Sequence, residues 1–113
     1  MELYQELTTK TRQLEASIRQ LRQNGTAYAE AERDYKILLA QECLKLRDSG
    51  MAIGLLDKVC YGLPSIAEAR FKRDVAEVTY KANLEAIQSV KLQLRLIENQ
   101  LQREFGTAGR GDM

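Results

Sequence analysis

Apolar side chains recur at alternating intervals of three and four along most of this chain. Between Glu2 and Gln23 that spacing is kept by Tyr4, Leu7, Thr11, Leu14, Ile18 and Leu21, the pattern of an amphipathic helix with a near-heptad seam. Glu6, Lys10, Arg12, Glu15, Arg19 and Arg22 make up its polar face. Asn24-Gly25 predicts a stop, because glycine takes the left-handed conformation that ends helices without a Cβ penalty. A second helix is expected over 26–47, with Thr26 as N-cap. Tyr28, Ala31, Tyr35, Leu38, Leu39 and Leu46 form its apolar stripe and Cys43 stands beside them. So short a joint implies an αα-hairpin. Asp48-Ser49-Gly50 ends the second helix.

The segment from Met51 to Gly62 is apolar, bounded by glycine and carries only Asp57 and Lys58 as charges. It reads as a short buried helix over 52–61 that plugs the core. Ser65 and Glu68 then make an S-x-x-E capping box, with Pro64 at the helix start. A long last helix is expected over 65–105, about 60 Å at 1.5 Å per residue. Its seam has two parts. Phe71, Val75, Val78 and Ala82 form the first; Ile87, Val90, Leu94, Ile97 and Leu101 form the second, one residue out of register with it. Leu84, Leu92 and Leu96 lie off this stripe. Residues 106–113 read as a flexible tail, and its Arg110-Gly111-Asp112 is assigned no function.

Lengths set the expected assembly. Each helix of the hairpin would be about 33 Å long and would cover only half of the last helix. Leu84, Ile87, Leu92, Leu94, Leu96, Ile97 and Leu101 would be left partly in water, although burying each gains about 1.5–3 kcal/mol. A second copy is the simplest cover; a kink near Asn83 that folds the helix back is the alternative. The expected fold class is therefore all-α: an N-terminal helical hairpin, a short linking helix, and one long C-terminal helix in an intermolecular bundle or coiled coil.

Composition narrows the chemistry. The 113 residues carry a net charge of +1, which supplies no field to attract nucleic acid and argues against direct DNA contact. Histidine is absent, removing the usual acid–base group near pH 7 and the commonest metal ligand. Two scattered cysteines, Cys43 and Cys60, do not build a zinc site and fit best as buried or half-buried apolar residues. No nucleotide-loop or nucleophile-elbow motif is present. The reading is a non-enzyme with no catalytic residue, no metal site and no cofactor. The N-terminus has neither the basic nor the apolar region of a secretory signal, and no apolar run is long enough to span a bilayer, so a soluble intracellular protein is expected.

Three groups of residues are candidates for binding. Arg12, Arg19 and Arg22 with the run Arg70-Phe71-Lys72-Arg73 could grip phosphates or form ordinary solvated helix charge. Tyr61 with Arg70, Lys72 and Arg73 could contact a partner or line a pocket for a small nucleotide beside a helix N-terminus. Tyr28 and Tyr35, seven apart, suit core packing or a protein-recognition face.

The run from Arg73-Asp74-Val75-Ala76-Glu77-Val78-Thr79-Tyr80 to Ala86-Ile87, continued by Lys91-Leu92-Gln93-Leu94-Arg95-Leu96-Ile97 and Arg103-Glu104-Phe105, resembles the C-terminal helix of small helical accessory proteins of unknown function encoded by phages and prophages of Gram-positive bacteria. The likeness extends more weakly back through Leu46-Arg47 and Gly50-Met51. It brings no catalytic motif. It implies an accessory protein in the cytoplasm of the bacterial host. The expected function is a homo-oligomer that binds and inhibits a host protein such as a defence component. A sponge for a small nucleotide signal and a helical subunit of phage DNA replication or recombination are the alternatives.

Overall fold

A computed structural model describes the backbone of residues 2–111 and the side chains of residues 2–106. It consists of α1 (Glu2–Asp48), α2 (Ile53–Tyr61) and α3 (Pro64–Gly111), with no strand among the described residues. The all-α class and the long C-terminal helix are as expected. The N-terminal hairpin is not: Asn24-Gly25 lies inside a single helix of 47 residues, and Thr26 caps nothing. A glycine inside a helix costs only about 1 kcal/mol relative to alanine, which packing on both sides of it readily offsets. Gly25 has another role. A Cβ built on it would lie 3.2 Å from Cε1 of Tyr80, so its bare backbone makes room for that ring.

The real stop comes at Gly50, the one described residue in the left-handed region. Its φ is +90°. Its N–H donates to the Arg47 carbonyl at 3.1 Å, and the Met51 N–H donates to the Leu46 carbonyl at 3.2 Å. This is the paired bonding of a Schellman motif. Gly62 and Leu63 alone separate α2 from α3. Leu63 precedes the first turn of α3 and accepts from the Ala67 N–H at 2.9 Å, so Pro64 occupies the first helical position, where its missing N–H costs nothing. Ser65 is therefore inside the first turn and not the cap. At the other end α3 runs through Gly106 to Gly111, beyond the expected end at Phe105. Asp112 and Met113, the rest of the expected tail, lie outside the described residues.

The chain divides into two compact units, a terminal unit of Met1–Arg22 with Ala82–Met113 and a central unit of Gln23–Lys81. Along α3 the buried and half-buried positions include Ile66, Ala69, Arg73, Ala76 and Tyr80 in the central unit, then Asn83, Ile87, Val90, Leu94, Ile97 and Leu101 in the terminal unit. The three–four spacing never slips, so the expected change of register after Ala82 does not occur. Phe71, Val75 and Val78, assigned to the seam by hydrophobicity, instead face outward, Phe71 at 63% and Val78 at 67% exposure. Along α1 the corresponding seam is Leu3, Leu7, Lys10, Leu14, Ser17 and Leu21, continued by Asn24, Tyr28, Ala31, Tyr35, Leu38 and Glu42. Tyr4, Thr11 and Ile18 are exposed instead. In the terminal unit the Asn83 side-chain amide donates to the Ser17 carbonyl at 3.0 Å, which explains why a small residue stands at 17.

In the central unit Tyr35, Cys60 and Ile66 are buried, and Leu38, Leu39, Cys43, Leu46, Leu63 and Ala69 pack against them. In the terminal unit Ile87 and Ile97 are buried, and Leu84, Leu94 and Leu101 are half-buried. Of the seven residues expected to need a second copy, five are thus buried or half-buried within one unit. The N-terminal turns of α1, freed from the hairpin, share a unit with them and cover five. Leu92 and Leu96 stay 54% and 57% exposed.

Gly25→Leu should destabilise the protein by about 1–3 kcal/mol, the usual cost of overpacking, in urea unfolding. Tyr80→Ala in the same chain should recover part of that loss. Strict additivity of the two changes would show that the contact does not matter.

Candidate functional site

The chemistry-bearing side chains of the central unit fall into four groups. The first is Tyr61 with Arg70. Arg70 lies in the second turn of α3, its guanidinium carbon 3.8 Å from the Tyr61 ring centroid, and its Nη1 donates to the Tyr61 carbonyl at 3.0 Å. A cation over a ring face and a bond to a carbonyl at the end of α2 both use the positive charge where the helix dipole is negative. The second is Arg73, 4.4 Å above the Tyr35 ring and bonded through Nε and Nη2 to Asp74 at 3.1 and 2.9 Å. That carboxylate is the main cause holding its pKa above the ordinary arginine value. Tyr61 and Arg70 thus meet as expected, but Arg73 turns to a different ring.

Lys72 goes elsewhere again. It edges an open groove of about 400 Å³ between α1 and the start of α3. Glu30, Asp34 and Glu68 share that rim, over a floor that includes Ala31 and Ala69. Three carboxylates beside one ammonium make a poor seat for phosphate. The four expected contacts therefore do not form one anion site. Arg12, Arg19 and Arg22 are exposed on α1, as solvated helix charge is. Among the described residues no cluster of three or more histidine, cysteine, aspartate or glutamate side chains could hold a metal ion, and no helix is long and apolar enough to cross a membrane.

The third group is Tyr28, Glu77 and Lys81. The Tyr28 hydroxyl donates to Glu77 Oε2 at 2.8 Å, and Lys81 Nζ donates to Oε1 at 3.0 Å. The Lys81 and Tyr28 hydrogen bonds hold the Glu77 carboxyl below its usual range. The same bond to Glu77 raises the Tyr28 hydroxyl. Tyr80 packs against Tyr28 with ring centroids 6.0 Å apart. Tyr28 and Tyr35 are accordingly packing residues. The fourth group is the thiol pair. Burial, with a hydrogen bond to Cys43, pushes the Cys60 thiol up to about 11. The signal for the Tyr28–Glu77 bond was invisible along the sequence, since 49 residues separate them.

The most prominent surface is apolar. α2 was expected to be buried, but only Cys60 is fully enclosed and Leu56 half so. Ile53 is 81% exposed, and Leu55, Val59 and Tyr61 also face outward. Nine residues joined by short links can bury only one side against the rest of the unit, and that side is spent on Cys60. No protein family, curated protein or solved structure matches this chain.

Tyr28→Phe should lower the melting temperature at neutral pH. Glu77, depressed in the fold, contributes stability above its unfolded pKa and loses it as pH falls through the folded value. Tyr28, raised in the fold, contributes below its unfolded pKa and loses it as pH rises through the folded value. The wild-type advantage over Tyr28→Phe should therefore be a plateau at neutral pH that shrinks toward acid and toward strong base. A pH-independent difference would assign the effect to packing alone.

Proposed function

We propose that this chain is a non-enzymatic, self-associating accessory protein of phage origin that binds a bacterial host protein and inhibits it, with a defence component as the expected kind of target. The observation that carries the reading is the number of large apolar side chains turned away from the helix seams. In the central unit Phe71, Val75 and Val78 recur at helical spacing on the outer side of α3. In the terminal unit Leu92 and Leu96 stand one turn apart in the same condition. Single exposed apolar residues are ordinary, but a stripe of them at interface spacing marks a surface that another protein covers. Aromatic residues such as Phe71 are also favoured anchors in interface centres.

Two surfaces suit two roles. Leu92 and Leu96 are the remaining exposed part of the expected oligomer interface, and we assign them to a second copy. The stripe of Phe71, Val75 and Val78 is assigned to the host protein. The resemblance to phage accessory proteins supports the setting, and the divergence of Lys72 and Arg73 from the Tyr61–Arg70 pair argues against the nucleotide sponge.

Native mass spectrometry of tagged protein produced in a Gram-positive host separates these roles. Wild-type protein should be a homo-oligomer carrying a stoichiometric host protein. Leu92→Lys with Leu96→Lys should give a monomer with unchanged helical circular dichroism. Phe71→Lys with Val78→Lys should keep the oligomer and lose the host protein. A wild-type monomer at tens of micromolar, or variants indistinguishable from wild type, would overturn the assignment.

A further inference from the structure

Two thiols share one cluster where α2 lies against α1. Cys60, in the last turn of α2, has no exposed surface, and its Sγ donates to the Leu39 carbonyl at 3.7 Å. Cys43 stands one helical turn beyond Leu39 on the same side of α1. It is half-buried and packs on the cluster of Tyr35, Cys60 and Ile66. Both cysteines are free. Packing alone does not require two sulfurs here, since an aliphatic side chain fills such a space at least as well. What the pair adds is chemistry: two thiols of one cluster, carried by two different helices, can close into a disulfide with a bond length of about 2.05 Å.

We propose that Cys43 and Cys60 are an oxidative modification site, closed into an intramolecular disulfide by exchange with a low-molecular-weight disulfide such as oxidised glutathione. The order of attack follows from access. Cys43, the half-buried thiol, loses its proton to water, and its thiolate attacks one sulfur of the small disulfide. That S–S bond breaks, and the first small thiolate leaves with the electron pair and is protonated. The Cys60 thiol then gives up its proton, and its thiolate attacks the Cys43 sulfur of the mixed disulfide and expels the second small thiol. Two protein thiols are oxidised by two electrons, and one small disulfide is reduced to two thiols. The buried Cys60 is a slow nucleophile toward solvent, but its place in the cluster on which Cys43 packs makes the second step intramolecular.

The consequence falls on α2. In the reduced protein this helix is held by little more than Cys60, half-buried Leu56 and the Arg70 bond to its last carbonyl, while Ile53, Leu55 and Val59 face solvent. A covalent link to α1 removes the detached conformations of α2 and fixes that apolar face in place. The reduced form leaves it free to open locally. This device is independent of which partner the chain binds.

The test uses the full wild-type chain. Reduced protein is incubated with oxidised glutathione, quenched in acid and weighed intact. The expected product has lost two hydrogens, carries no glutathione, and yields a peptide joining Cys43 to Cys60 of one chain. Amide exchange across Ile53–Tyr61 should then be at least about tenfold slower than in the reduced protein. Cys60→Ser should instead accumulate a stable glutathione adduct at Cys43. A lasting adduct at Cys43 in the wild-type chain, chain-to-chain dimers through Cys43, or a closed disulfide with unchanged exchange in α2 would each overturn the proposal.

Discussion

A helix can offer a neighbouring helix only one narrow stripe, and in this protein that stripe repeats strictly every three and four residues along both α1 and α3. Everything else is fitted to it. The stripe is not uniformly apolar. It admits Lys10, Ser17 and Asn24 on α1, and Arg73, Ala76 and Asn83 on α3. Only Tyr35, Cys60, Ile66, Ile87 and Ile97 are buried among the described residues. Each gains about 1.5–3 kcal/mol from leaving water, against about 1–2 kcal/mol for every backbone residue ordered. With so thin a core, small shifts of register have little apolar penalty, so polar pairs must select the register. Tyr28 with Glu77 does this in the central unit and Asn83 with Ser17 in the terminal unit, because a hydrogen bond between helices is lost on a slip that an apolar contact would survive.

Tyrosine is the residue that organises the central unit. Tyr35 takes Arg73 on its face, Tyr61 takes Arg70, Tyr28 reaches Glu77, and Tyr80 lies against the bare backbone of Gly25. The first three rings each supply apolar area together with a polar or π contact to a charged neighbour. This arrangement has a functional consequence. Arg70 and Arg73 at the start of α3 are drawn to separate rings while Lys72 stays exposed, so these charges do not converge on one point. Ile53, Leu55 and Val59 on α2, and Phe71, Val75 and Val78 on α3, also face outward.

Much of this was determined by the sequence alone. Helix class, the closing of α1 at Gly50, a short helix close to Ile53–Tyr61, and the seam Ile87, Val90, Leu94, Ile97 and Leu101 follow from local pattern and backbone chemistry, because each depends on residues within a few turns of one another. Burial of Cys60 and half-burial of Cys43 follow from residue type. The tertiary structure decided the rest. It decided that Gly25 makes room for Tyr80 and does not break a helix, because a glycine looks the same from its neighbours in either case. It decided that Ser17 and Ala76 face inward while Ile18 and Val75 face outward, because the facing helix chooses between adjacent stripes by shape and hydrogen bonding, and hydrophobicity does not record shape. It also decided that the two thiols share one cluster, since the 16 residues of intervening chain carry no information on where α2 will settle.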